Sequence, residues 1–252
     1  MGRVTVWSVR VDLPRSRRTA LRDVGQAVDV PVAIATWVIA FVFGQLVSTA
    51  IIASSGAETV DEVPIPTLFA GVLATWIAYL AGCYVASKRA GSGDPVEDYG
   101  IRFRVVDLVG LPIGVLTQLV LVPVVYIPLR AIWPGTFSED KLSETAEKLA
   151  ARASGGTMVL LVLMVCVGAP LVEEIVYRGL LQRSFAARTS HVVAWLGAAA
   201  WFTVIHFRPV EYPGLFAFAL VVGACLLVTD RLGMSMATHV AFNVTGLLLA
   251  IG

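Results

Sequence analysis

Seven long apolar segments make up most of this chain and restrict what it can fold into. Their limits, read from the sequence, are about 30–53, 66–86, 106–128, 157–177, 191–207, 214–229 and 235–251. A run of about 20 apolar residues can cross the roughly 30 Å hydrocarbon core of a bilayer as a helix. With 57% hydrophobic and 15% charged residues, the composition also lies outside the range of soluble proteins. We therefore expect an all-α fold, a polytopic helical transmembrane bundle of about seven spans in a lipid bilayer.

Charged residues are concentrated between the apolar segments and predict the domain organisation. Residues 1–29 contain six arginines and should form a basic cytoplasmic tail, followed by a single membrane domain over 30–252. The arginines are Arg3, Arg10, Arg15, Arg17, Arg18 and Arg22. Because basic loops remain in the cytoplasm, this tail predicts a cytoplasmic N-terminus. The formal net charge of +1 and the lack of a basic-aromatic surface pattern give no reason to expect a nucleic-acid partner.

Two further features bear on the fold. Ser138 to Ala153 has an acidic start and apolar residues at helical spacing, which predicts an amphipathic connector helix. Such a helix can lie at the membrane interface, or it can cover a site as a lid. Cys83, Cys166 and Cys225 all fall within apolar runs without pairing or metal-ligand spacing, and we expect them to be small buried side chains.

The first polar cluster inside an apolar run contains two adjacent acids, Glu173 and Glu174. Ionisable residues within a membrane segment are costly and usually functional. Glu174 and Arg178 are four residues apart, so they share a helix face and can form an ion pair, while Glu173 points about 100° away. Pro170 lacks an N–H and should free the helical carbonyl of Cys166. The alternative is that both acids only mark the membrane boundary.

The second cluster is Phe202 and His206, which share a helix face. If residues 189–190 form the turn of an antiparallel hairpin, Glu173 and His206 each lie about 24 Å from it and should be level. The segment 208–214 is polar and rich in helix-breaking residues, so either His206 lies near the opposite membrane face or this backbone is non-helical and is buried in protein or lines water. We expect the second, because it keeps the three clusters together. The alternative for His206 is a role in packing alone.

The third cluster is His239 and Asn243, again four residues apart on one helix face. Polar residues at this spacing can also serve only as hydrogen-bonding contacts between helices. The remaining histidine, His191, is expected at a helix start or in a loop. All three clusters meet only if the hairpin between the first two projects beyond the bilayer by a few turns.

In combination, these motifs resemble those of the CAAX-protease and bacteriocin-processing family of intramembrane proteases. Glu173-Glu174 with Arg178, Phe202 with His206, and His239 with Asn243 match its EExxxR, FxxxH and HxxxN motifs in order. The resemblance covers roughly residues 157–251, which would be the catalytic core. It implies an endopeptidase that hydrolyses peptide bonds in or at the membrane.

The resemblance also implies a role for each motif residue. Glu173 would activate a water molecule with help from His206, and His239 and Asn243 would stabilise the oxyanion. Glu174 and Arg178 would organise the site. Glu173, His206 and His239 are also a two-His, one-Glu set of the kind that catalytic zinc uses, so a zinc cofactor stays open, although the chain contains no HExxH sequence.

Substrate and location follow less directly. Arginine outnumbers lysine 16 to 3, a composition typical of GC-rich bacteria, which favours a bacterial plasma membrane. Membrane-associated peptide precursors or protein segments are then better substrate candidates than prenylated proteins. Two other functions stay open: a non-catalytic family member acting in bacteriocin self-immunity or partner binding, and a transporter or proton relay that uses the buried Glu and His.

Overall fold

The computed structural model describes residues 27–252 and consists of helices and connecting loops over that range. The predicted arginine-rich tail falls almost entirely outside the described residues. We number the helices α1 Val30–Ala53, α2 Ile65–Ala90, α3 Pro95–Tyr99, α4 Val105–Ile132, α5 Glu139–Ala151, α6 Gly156–Ala186, α7 His191–Val204, α8 Pro209–Thr229 and α9 Gly233–Ile251. The all-α prediction is confirmed.

Six of these helices are long and apolar enough to cross a membrane, namely α1, α2, α4, α6, α8 and α9. The seventh predicted span, α7, is a shorter apolar helix of 14 residues. Helix α6 has 31 residues and continues well past the predicted end at 177. At about 1.5 Å per residue it exceeds the thickness of the hydrocarbon core, as a hairpin projecting beyond the bilayer requires.

Smaller predictions can be compared directly with the structure. The connector helix α5 is present, with Ser138 as the residue before its first turn. His191 is the first residue of α7, as expected, and the preceding Ser190 accepts a hydrogen bond from the backbone N–H of Val193. The three cysteines are buried and unpaired. Whether α5 covers the site as a lid stays a prediction.

Helices α4 and α9 pack so closely that there is no room for a side chain at two glycines of α4. A Cβ at Gly114 would lie 2.1 Å from the carbonyl oxygen of Thr238, and one at Gly110 would lie 2.5 Å from that of Met234. Gly110 and Gly114 form the small-xxx-small pattern that allows membrane helices to approach closely. The position of α9 is therefore fixed by direct contact with α4.

The start of α9 is also held at the end of the bundle by residues just before α4 and in its first turn. Gly100 O accepts from the backbone N–H of Leu232 at 2.9 Å. Asp107, in the first turn of α4, accepts from Arg231 Nη2 at 2.6 Å and from Nε at 2.9 Å. This pairing of both carboxylate oxygens with one guanidinium gives geometric specificity as well as energy. Two independent contacts thus fix where α9 begins.

The outer surface of the bundle is apolar. Ile39 and Phe43 on α1, Ile127 on α4 and Val228 on α8 are all more than 60% exposed. Exposed apolar area on this scale marks a surface that another apolar phase covers. Together with the six long apolar helices, it is the surface of an integral membrane protein.

Candidate functional site

Glu174 and Arg178 form an ion pair inside the bundle, as the i, i+4 spacing predicts. Arg178 Nη1 lies 3.2 Å from Glu174 Oε1, and both side chains are at most 1% exposed. Arg178 Nη2 also donates to the carbonyl of Ala219 on α8, at 3.2 Å. Because breaking a buried pair leaves an uncompensated charge, each partner depends on the other. Glu174 is therefore held in place.

Glu173 differs from its neighbour in exposure. Its side chain is 27% exposed, whereas that of Glu174 is fully buried. Consecutive residues of a helix point about 100° apart, so the two carboxylates face different surroundings. The Glu174 carboxylate is enclosed by protein, whereas the Glu173 carboxylate is accessible to small molecules.

The His239 ring lies between these two acids. Its Nδ1 is 2.8 Å from Glu174 Oε1, and its Nε2 is 3.8 Å from Glu173 Oε2. Because a carboxylate only accepts hydrogen bonds, Nδ1 carries a hydrogen and donates it to Glu174. Nε2 then faces Glu173 across a gap too long for a hydrogen bond but within reach of a shared water or substrate atom. Glu174 thereby orients the imidazole.

The aromatic ring of Phe202 forms the floor of this site. Phe202 is 1% exposed, and its ring centroid lies 4.6 Å from that of His206 and 6.2 Å from that of His239. The Arg178 guanidinium carbon is 4.7 Å from the same centroid, within cation–π range. Phe202 therefore contacts both imidazoles and the buried cation.

His206 lies just beyond the end of α7 and is held by the backbone of that helix. Its Nδ1 lies 2.7 Å from the carbonyl oxygen of Phe202. A carbonyl can only accept, so Nδ1 carries the hydrogen, and in the neutral ring Nε2 carries the lone pair. His206 can therefore take up a proton at Nε2. Proton uptake at Nε2 requires no second contact to orient the ring.

The chain between α7 and α8 is less disrupted than the sequence suggests. We expected non-helical backbone over 208–214, but α8 is already helical from Pro209. Pro209 and Pro213 lie in first turns, where a missing N–H leaves no helical bond unmade. The actual break is confined to 205–208, where Phe207 has a positive φ of 52°. His206 lies within this short break.

Asn243 bonds to the backbone of α6 and not to the two acids on that helix. Its Nδ2 donates to the carbonyl of Val165 at 2.7 Å. Asn243 lies one helical turn after His239 on the same face of α9, and it is half-buried. One N–H of the amide is used in this bond, and the second remains free to bind another acceptor.

The proposed zinc ligands do not form a metal site as they are placed. Glu173 and His239 approach each other at 3.8 Å, and His206 bonds a backbone carbonyl through Nδ1 and leaves Nε2 open. Over residues 27–252, no three side chains of the His, Cys, Asp and Glu types come together in a way that could hold a metal ion. The residues present thus do not fit a resident zinc.

One contact of the site was not foreseen. Phe218 on α8 packs edge-on against His239, with ring centroids 4.7 Å apart, and it stacks on Phe242 at 4.1 Å. Phe218 is 1% exposed. It stands in a uniformly apolar helix without a polar partner at helical spacing, so the sequence contains no signal that separates it from its neighbours.

Comparison with known proteins agrees with this geometry. Residues 155–245 match the sequence model of a family described as type II CAAX prenyl endopeptidase Rce1-like. No curated protein and no solved structure matches the chain. The matched region begins just before α6 and ends within α9, so it contains all three motifs. The resemblance inferred from these motifs is confirmed, because residues 155–245 are similar to a family of CAAX-type intramembrane proteases.

Proposed function

We propose that this protein is an endopeptidase that hydrolyses peptide bonds of membrane-associated proteins or peptides, with Glu173 as the general base. The proposal rests on one observation: the two acids beside His239 differ in burial and in contacts. Glu174 is fully buried against Arg178 and His239, while Glu173 is 27% exposed with His239 Nε2 at 3.8 Å. A general base must be accessible to the water that it deprotonates, and only Glu173 meets that condition.

In the proposed reaction, Glu173 takes one proton from a bound water molecule, and the oxygen of that water attacks the scissile carbonyl carbon. His206 assists at Nε2, the nitrogen that its bond to Phe202 leaves open. A positioned base of this kind contributes about 10²–10⁴-fold to the rate. The carbonyl double bond opens and leaves a negative charge on its oxygen.

That oxyanion is stabilised by hydrogen-bond donors on α9. His239 donates from Nε2 when the ring is charged, and Asn243 donates the N–H that Val165 does not use. Loss of one such donor typically lowers kcat by about 10²–10³-fold. The intermediate then collapses, the C–N bond breaks, and the proton held by Glu173 passes to the leaving nitrogen. The products are a carboxylic acid and an amine.

The proposal is tested with purified protein in proteoliposomes and a library of membrane peptides. Wild type should cleave at least one peptide, and Glu173→Gln should not, although it keeps the shape of the side chain. Glu147→Gln, on the exposed face of α5, removes an acid outside the site and should cleave like wild type. Cleavage by Glu173→Gln at the wild-type rate would refute the general base.

The same vesicles distinguish the two other functions. A proton relay predicts flux that depends on a pH gradient, and the protease predicts none. A non-catalytic binding protein predicts that wild type and Glu173→Gln bind a partner equally and that neither cleaves a peptide.

A further inference from the structure

The carbonyl of Val165 lacks a donor within its own helix. Residues Leu163–Gly168 of α6 are wound as a π-helix, and at its end the backbone N–H of Ala169 donates to Met164 O, five residues back. The donor for Val165 in this register would be residue 170, which is a proline and has no N–H. Its α-helical donor would be Ala169, which is already used. The π register therefore moves the open carbonyl from Cys166, expected for an α-helix, to Val165.

Asn243 fills this opening from the neighbouring helix. Its Nδ2 lies 2.7 Å from Val165 O, and the bond joins α9 to α6. Because the amide is planar, an acceptor that fixes one N–H also fixes the direction of the other. Asn243 and His239 are four residues apart on one face of α9, so this direction is set relative to the imidazole.

We propose that Pro170 is a positioning residue of the site: by withholding its N–H, it leaves the Val165 carbonyl to hold Asn243 in a fixed orientation. The inference rests on the proposed function, in which the second N–H of Asn243 meets the oxyanion. Pro170 is buried and touches no reacting atom in this scheme. Alanine at position 170 would supply an N–H in the π register, and that N–H would compete with Asn243 for the same oxygen.

A double-mutant cycle separates this role from a general effect of the proline on α6. The four proteins are wild type, Pro170→Ala, Asn243→Ala and the double variant, with kcat and KM measured separately in proteoliposomes. Asn243→Ala should lower kcat by about 100-fold, the usual effect of losing one oxyanion donor. Pro170→Ala should lower kcat about tenfold with KM unchanged, since a misplaced group acts on the chemical step. The double variant should be no slower than Asn243→Ala alone.

Pro128→Ala serves as the matched control, because Pro128 also lies inside a membrane helix but is exposed and lies outside the motifs. It should leave kcat unchanged with either residue at position 243. The proposal is overturned if Pro170→Ala cleaves at the wild-type rate, or if the losses of the two single variants multiply in the double variant.

A second measurement on the same four proteins does not require peptide cleavage. In thermal unfolding, Asn243→Ala should lower Tm when residue 170 is proline and should have a smaller effect when it is alanine, because the carbonyl then has a backbone donor. Equal decreases in both backgrounds would refute the coupling. If wild type cleaves no peptide, the proposed function fails, while this measurement still decides whether Pro170 and Asn243 act together.

Discussion

Nδ1 of His239 lies 2.8 Å from Oε1 of Glu174, so an acid with no exposed surface fixes the imidazole that faces the second, open acid. The arrangement gives two neighbouring residues of identical chemistry different surroundings. Glu174 is held by Arg178 and holds His239, and it has no route to solvent. Glu173 keeps the exposure that a reacting carboxylate requires.

The buried pair of Glu174 and Arg178 should behave as a unit in stability. Glu174→Gln leaves the Arg178 guanidinium, 1% exposed, without a counter-charge, and breaking such a pair typically costs about 3–5 kcal/mol. Arg178→Met should cost a similar amount for the converse reason. The double variant should lose clearly less than the sum, because no charge then remains unpaired. Thermal unfolding in detergent micelles measures all four proteins, and strictly additive losses would contradict a mutual dependence.

The close contact between α4 and α9 should control activity from outside the matched region. A Cβ at Gly114 would lie 2.1 Å from Thr238 O and 2.9 Å from Phe242 N, both of which are backbone atoms. Helix α9 must therefore move in Gly114→Ala, and a displacement of about 1 Å can cost about 10²-fold in rate. We expect a loss of kcat of that order in the peptide assay.

The control for this prediction is another glycine in the same helix pair. At Gly246 on α9, a Cβ would have Gln118 as its nearest neighbour at 3.6 Å, an ordinary contact. Gly246→Ala should therefore cleave at close to the wild-type rate. Equal activity of Gly114→Ala and Gly246→Ala would show that α9 does not need its observed position.

The pairing of Arg231 with Asp107 should stabilise the protein to the same extent throughout the neutral range. Hydrogen bonding to Asp107 raises the pKa of the Arg231 guanidinium above its already high value. A raised pKa means that the stabilising charge is fully present below that value and is lost only as the pH rises through it, in strong alkali. Arg231→Gln should therefore lower Tm by the same amount at pH 6 and at pH 9. A decrease that changes between these two values would indicate that another group titrates with the pair.

Removal of metal ions should leave the reaction unaffected. Over residues 27–252, no three side chains of the His, Cys, Asp and Glu types come together in a way that could hold a metal ion. Protein treated with a strong chelator and then dialysed should cleave at the rate of untreated protein, and metal analysis of the same samples should find no stoichiometric zinc. Loss of activity that added zinc restores would show that the side chains rearrange around a metal.

The sequence predicts the parts of this fold that depend on local pattern. The apolar segments locate the spans, and the i, i+4 spacing predicts the contact of Glu174 with Arg178. The sequence also predicts that Pro170 leaves one helical carbonyl without a donor. It assigns that carbonyl to Cys166, because an α-helix is assumed. The π winding of α6 moves it by one residue to Val165.

Contacts between distant segments were beyond such reasoning. Helical spacing does not show which of two adjacent acids His239 approaches, since that depends on the rotation of α9 against α6. The approach of Gly114 to Thr238 decides that rotation, and it joins residues more than 120 positions apart. The polar residues after His206 likewise suggested an unwound segment, because the sequence does not show that both prolines fall in first turns.

The most direct test compares Glu173→Gln with Glu174→Gln in one experiment that measures both peptide cleavage and Tm. We predict that Glu173→Gln abolishes cleavage and keeps the wild-type Tm, because a partly exposed carboxylate that acts in the reaction contributes little to folding. Glu174→Gln should lower Tm by several degrees because it leaves the buried Arg178 without a counter-charge. Cleavage by Glu173→Gln at the wild-type rate, with Glu174→Gln inactive yet as stable as wild type, would contradict the account and assign the reaction to the buried acid.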